Sequence, residues 1–221
     1  MARQARITLA ETPHHVSQRG NRGEPVFFER ADFETYKQLM AEQCAAHDVS
    51  VWAYCLLPNQ IHLIACPQHP DNLARAIGEA HRRYTRYIND KKDWRGHLFQ
   101  DRFYSCALDE SAVTDAGHFI ETLPVTANIA QKPEQYLWSS AKAHLQNRED
   151  MLLAPYKPLQ SMVHDWTGFL SMPLPQKIMD DIALHLQTGR PRGGDMFLDS
   201  IEKLLGKRVR ALPVGRPKKV A

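Results

Sequence analysis

Apolar and polar residues alternate along His14 to Arg19, the period of a strand with one face turned to a core. Asn21 to Pro25 is rich in Gly and Pro and reads as a loop. From Asp32, placed to start a helix, Phe33, Tyr36, Leu39, Met40 and Cys44 recur at helical spacing to about His47. Val49 to Leu56 is a β-rich run, Leu57-Pro58-Asn59 reads as a hairpin turn, and Ile61 to Ala65 returns as a buried strand. Asp71 is placed to cap a second helix through Asn89, with Leu73, Ile77, Tyr84 and Ile88 on one side. Leu98 to Leu108 reads as another strand, and Glu110 to Ala130 as a third helix. Strand, helix, strand-turn-strand, helix, strand is the ferredoxin-like order. The expected fold is α+β: a ferredoxin-like (RRM-like) antiparallel sheet with helices on one face.

Beyond Trp138 the texture changes. Ala154 to Pro175 holds Pro155, Pro158, Pro173 and Pro175 and little regular period, as expected of a linker wrapping onto the domain. Gln176 to Gln187 and Asp195 to Leu205 read as two short helices. The second has an apolar stripe (Phe197, Leu198, Ile201, Leu204, Leu205), with Gly206 at the C′ position. The expected division is a domain over 1–150, a Pro-rich linker over 151–175, a small helical extension over 176–206 and a basic tail over 207–221.

At 221 residues, 43% hydrophobic and 24% charged, the chain has the make-up of an ordinary soluble globular protein. No apolar run approaches the ~20 residues that span a bilayer, and the N-terminus lacks the apolar region of a secretory signal. Cys44, Cys55, Cys66 and Cys106 show no Cys-x-x-Cys spacing and fall in hydrophobic neighbourhoods, as expected of core residues in a reducing cytosol. Net charge is only +3, but the positive charge is localised. From Lys203 onward seven residues are basic and none is acidic; Arg75 to Arg102 holds eight basic and four acidic residues. Such blocks point to a polyanion partner, against the alternative of a solvated face and a basic tail.

The run Leu57-Pro58-Asn59-Gln60-Ile61-His62-Leu63 carries the chemistry. Gln60 and His62, two apart on a strand, point to the same face. The run resembles the HUH signature of single-tyrosine DNA transposases, in which two histidines flank one hydrophobic residue and hold a divalent metal. Here the first histidine is Gln60. The resemblance, specifically to REP-associated tyrosine transposases, runs nearly end to end. It covers Pro13–Gly23, Val51–Leu63, HRRYTRYIN (His81–Asn89), GHLFQDRFYS (Gly96–Ser105), YLWSSAKAHL (Tyr136–Leu145), Thr188–Gly194 and Gly215–Lys219. The family's nucleophile helix reads roughly Tyr-Ile-Glu-Leu-Asn-Pro-Val-Arg-Ala. This chain has Phe119-Ile120-Glu121-Thr122-Leu123-Pro124-Val125-Thr126-Ala127. Phe119 stands at the tyrosine position and has no oxygen with which to attack a phosphodiester. Leu123 and Thr126 replace the asparagine and arginine.

The resemblance implies an HUH-type fold and magnesium or manganese held at the site. With Gln60 in place of a histidine, that binding is expected to be weakened or lost. His62 and Gln60 are the candidate ligands, and His14, His15 and His118 are possible third neighbours. The expected partner is DNA, as a hairpin, single strand or palindrome. Arg19, Asn21, Arg22, Arg82, Arg83, Arg86 and Arg102 are candidate contacts, with Arg216, Lys218 and Lys219 in a tail that resembles an AT-hook. Tyr87, Trp94 and Tyr104 are candidates for stacking on unpaired bases or for core packing. The two C-terminal helices are weighed as a helix-turn-helix-like module, although their Thr188–Gly194 spacer is long for one. The leading expectation is a cytoplasmic, nucleoid-associated DNA binder without cleavage. The competitors are an active nickase with a substitute nucleophile and a protein scaffold with no nucleic-acid role.

Overall fold

The computed structural model describes residues 6–156 and 158–211. Strand β1 (His14–Arg19) lies inside a four-stranded sheet, between β3 (Gln60–Pro67) and β4 (Tyr104–Ala107), with β2 (Val49–Leu57) outside β3. Every pairing is antiparallel, giving the ferredoxin-like order β2-β3-β1-β4. The β2–β3 hairpin turns on Pro58-Asn59, as the sequence predicts.

Helices α1 (Arg30–Ala46) and α2 (Asn72–Lys92) pack together on one face of the sheet. There Tyr36, Met40, Leu73, Ile77, Tyr84 and Ile88 meet Val16, Leu56, Ile61 and Leu63. That is the expected helical face. The opposite face is covered as well. Its strand residues Ala53, Cys55, Leu57, Ile64 and Cys106 are apolar and are buried by α3 (Glu110–Thr126). The strands are apolar on both sides, so a single helical layer would leave one side wet.

Several boundaries move for local reasons. α1 begins at Arg30 because Asp32 is its third residue and not its cap. The buried Asp32 carboxylate accepts from the Phe28 and Glu29 backbone N–H groups and pairs with Lys91. The strand expected over Leu98–Leu108 is only β4; Asp101 takes φ 54°, which breaks an extended run. α3 starts on Asp109, whose carboxylate accepts from Ala112 N–H at 2.8 Å, and stops at Thr126 instead of Ala130.

The span 151–175 is more than a linker. After α4 (Ala141–Leu145) it carries α5 (Pro158–Met162) and α6 (Trp166–Ser171), which bury Leu159, Trp166 and Leu170 with α3. Helices α7 (Gln176–Thr188) and α8 (Asp195–Leu205) do not form a helix-turn-helix module. Their connection docks on the sheet, where Arg192 bridges to Leu108. The Arg192 guanidinium reaches Asp181 (2.6 Å), Asp115 (2.8 Å) and the Ala112 carbonyl (3.3 Å). α8 packs Ile201 against Ile7, Leu9, Ala107 and Val209. Among the described residues no helix is long and apolar enough to cross a membrane.

Candidate functional site

Register places the site. Arg19 lies opposite Gln60, and Ser17 opposite both His62 and Tyr104. Directly paired residues share a face, so these five point to the α3 side of the sheet. They line a cavity of about 570 Å³, closed from above by Phe119 and Leu123 of α3 and by Ala183, Leu186 and Gln187 of α7. Gln100, in the loop before β4, completes the lining named here. Gln60, His62 and Phe119, the candidate metal and nucleophile positions, thus line one cavity, and Arg19, expected as a DNA contact in the loop after the first strand, lines it too.

Behind the cavity stands a second imidazole. His15 Nε2 and His62 Nδ1 share a hydrogen bond of 3.0 Å, and the Phe119 ring lies edge-on to both, 5.9 Å from His15 and 5.8 Å from His62. Burial, helped by the Arg19 charge, pushes the His62 pKa down to about 3. Burial first, then His62 and Arg192, holds His15 well below the ordinary histidine value. Both rings are therefore neutral at neutral pH.

The other histidines considered as neighbours go elsewhere. His14 points to the α1/α2 side; its Nδ1 donates to the Thr12 carbonyl and its Nε2 accepts from Leu9 N–H. His118 turns away along α3, and its Nε2 donates to the Met172 carbonyl. What the cavity offers a metal is one imidazole with carboxamide and hydroxyl oxygens. No Asp or Glu is among its named lining residues, and Arg19 adds positive charge. Among the described residues no group of three or more His, Cys, Asp or Glu could hold an ion. This donor set does not fit a firmly held hard divalent cation, which draws its affinity from anionic oxygens.

The basic residues fall into separate groups. Asn21 and Arg22 sit in a 3-10 turn at the end of β1, where Arg22 takes φ 56° and the Asn21 amide donates to the His97 carbonyl. Arg82 and Arg83 are both tied to Glu79 on the α2 surface, and Arg86 lies 3.6 Å from Asp90. Arg82 and Arg102 line a different cavity, on the α1/α2 side of the sheet. Arg216, Lys218 and Lys219, with the AT-hook-like segment, lie outside the described residues. Of the aromatics, Trp94 is exposed and Tyr104 lines the first cavity. Tyr87 packs on the core, with its hydroxyl donating to Asp32.

The sequence reading missed α7 as a wall of the site. Gln187 directly precedes the Thr188–Gly194 stretch that carried part of the family resemblance, and that adjacency was the available signal. It also missed the role of Glu121. Its fully buried carboxylate accepts from Trp166 Nε1 (2.7 Å) and Ser140 Oγ and bonds His144 Nδ1 (2.5 Å), fixing α3 to α4 and α6.

A four-stranded antiparallel sheet, with polar residues paired across β1, β3 and β4 and facing a long helix, defines an α+β protein of the ferredoxin-like class with a polar cavity between sheet and helix. The chain belongs to the IS200-like transposase family, whose model matches residues 12–122. Among solved structures it is similar to a REP-associated tyrosine transposase bound to a REP hairpin. The identity is 14%, over 70% of this chain and 92% of that one, with a TM-score of 0.58. That likeness is one of fold. A protein from Deinococcus radiodurans provisionally described as a transposase aligns at 18% identity over 54% of this chain and 96% of that one, TM-score 0.39. No curated protein matches the chain.

Proposed function

We propose that this chain is a DNA-binding protein derived from a single-tyrosine transposase, which holds hairpin, single-stranded or palindromic DNA without cutting it. The observation that carries this is Phe119. Its ring edges both His15 and His62 at the cavity, where family members present the nucleophilic tyrosine. A phenyl ring supplies no oxygen to form a phosphotyrosine bond. Gln60 and the carboxylate-poor lining further weaken or abolish the divalent metal that would polarise the scissile phosphate. The features that bind need none of this chemistry. Arg19 remains in the cavity, and Asn21 and Arg22 remain in the adjoining turn. The solved relative's REP hairpin supports a structured DNA partner. Binding without turnover suits a role in regulation or genome maintenance, and nucleoid association is part of this proposal.

A second reading has one specific observation behind it: Tyr104 lines the same cavity as His62. As a substitute nucleophile it would restore a nickase. One assay separates the two. Labelled hairpins with single-stranded flanks are mixed with the protein in manganese and in chelator, then scored for mobility shift and for cleavage on a denaturing gel. The expected result is a shift in both conditions with no cleavage, and cleavage gained by the Phe119→Tyr, Gln60→His double variant. Cleavage by the natural protein that disappears in Tyr104→Phe would overturn the reading.

A further inference from the structure

The cavity under α3 and α7, about 570 Å³, is within the size range of pockets that hold small ligands, roughly 300–1,000 Å³. Its floor is buried: Ser17 is 5% and His62 4% exposed. Its rim is open, because Arg19, Gln100, Ala183 and Gln187 are exposed. Gln60 lies between, half-buried. Three carboxamides therefore border one space, from β3 (Gln60), the loop before β4 (Gln100) and α7 (Gln187). Neither these three side chains nor the Arg19 guanidinium has a hydrogen-bond or ion-pair partner among the described residues.

These groups match the parts of a nucleotide. Arg19, with no carboxylate in the named lining, suits a phosphate. Phe119, Leu123 and Leu186 give apolar walls for the faces of a base. A carboxamide carries both donors and an acceptor, so it can bond adenine twice, donating to N7 and accepting from the N6 amino group. Of the three, Gln60 is the one set back from the rim, where bulk water competes less for its hydrogen bonds.

We infer that this cavity encloses one unpaired nucleotide of the bound strand, with Gln60 reading adenine and Arg19 holding the phosphate. The residue that stands in place of a metal ligand thus becomes a specificity residue. The inference rests on the proposed DNA-binding function and names a part of its recognition.

The test uses the full chain in chelator and labelled hairpins in which each single-stranded flank nucleotide is replaced in turn by every other base or by an abasic site. At one flank position adenine is expected to exceed each other base by about tenfold in affinity, with the abasic site weakest. Gln60→Met loses that preference and keeps hairpin binding, whereas Gln131→Met, outside the cavity, keeps both. Ala183→Trp fills the cavity from α7 and also loses the preference, a check independent of how well Gln60→Met folds. If hairpins bind with no adenine preference at any flank position, or if either cavity variant retains it, the pocket is wrong and DNA binding stands. If deoxyadenosine monophosphate binds but no hairpin, single strand or palindrome does, the pocket serves a free nucleotide, and its place in strand recognition falls with the DNA reading. If nothing binds, both fall.

Discussion

Phe119 differs from a tyrosine by one oxygen, and its position is set by the residues around it. Its ring is packed against His15 and His62, and α3 is fixed from behind by Glu121. The Glu121 carboxylate serves three buried donors, on Ser140, His144 and Trp166. Glu121→Ala leaves all three without their acceptor and is expected to cost about 3–5 kcal/mol, read from urea unfolding midpoints. Glu121→Gln keeps an acceptor and loses less. An unchanged midpoint in Glu121→Ala would show that the network does not hold α3. The same residues mark what a sequence reader can and cannot see. Gln60 and His62 were legible because a strand's period of two decides their shared face. The convergence of His15, rather than His14 or His118, was not, because it depends on the β1–β3 register and on the way each ring is turned.

At the scale of elements, the strands and helices of the first 126 residues were legible from periodicity, and the exceptions have local causes. The strand expected from Leu98 broke at Asp101, and the loop so formed became the wall between two cavities. Helix α7 was legible as a helix over Gln176–Gln187, but its place in the fold was not. Its partner is not its sequence neighbour but β4 and α3, reached through Arg192. Arg192 is 9% exposed and joins Asp115 on α3 to Asp181 on α7. Arg192→Ala removes charge-assisted hydrogen bonds and leaves two carboxylates facing each other, a loss of about 1.5–3 kcal/mol. Limited proteolysis should then cut the α7–α8 connection sooner than in the natural protein, while the sheet stays resistant. Cleavage at an unchanged rate would mean that α8 and its apolar contacts with Ile7, Leu9 and Val209 suffice to hold the segment.

For the molecule as a whole, the sheet with helices on both faces buries histidines on each side, and this gives folding a pH dependence of definite sign. On the α1/α2 side, burial holds His14 down to about 4, against weaker help from the Thr12 and Ile7 carbonyls. Burial, with the Arg6 charge adding, holds His81 down to about 3; its Nε2 shares a 3.0 Å hydrogen bond with the Tyr36 hydroxyl. In the unfolded chain each titrates near 6.5. Between those values the unfolded chain binds more protons than the folded one, so stability rises with pH across the window. It is fully present above about pH 6.5 and is lost as pH falls toward 4 and then 3, with a slope of at most about 1.4 kcal/mol per pH unit for each histidine. His81→Gln keeps a polar partner for Tyr36 and cannot take up a proton. Its unfolding free energy should be lower than the natural protein's at neutral pH, but should fall less steeply between about pH 6 and pH 4, by up to one proton's worth. Parallel slopes would show that His81 takes up its proton without unfolding. Burial, which leaves Tyr36 as its hydrogen-bond partner and Phe99 4.4 Å from its ring, would then not be what keeps it neutral.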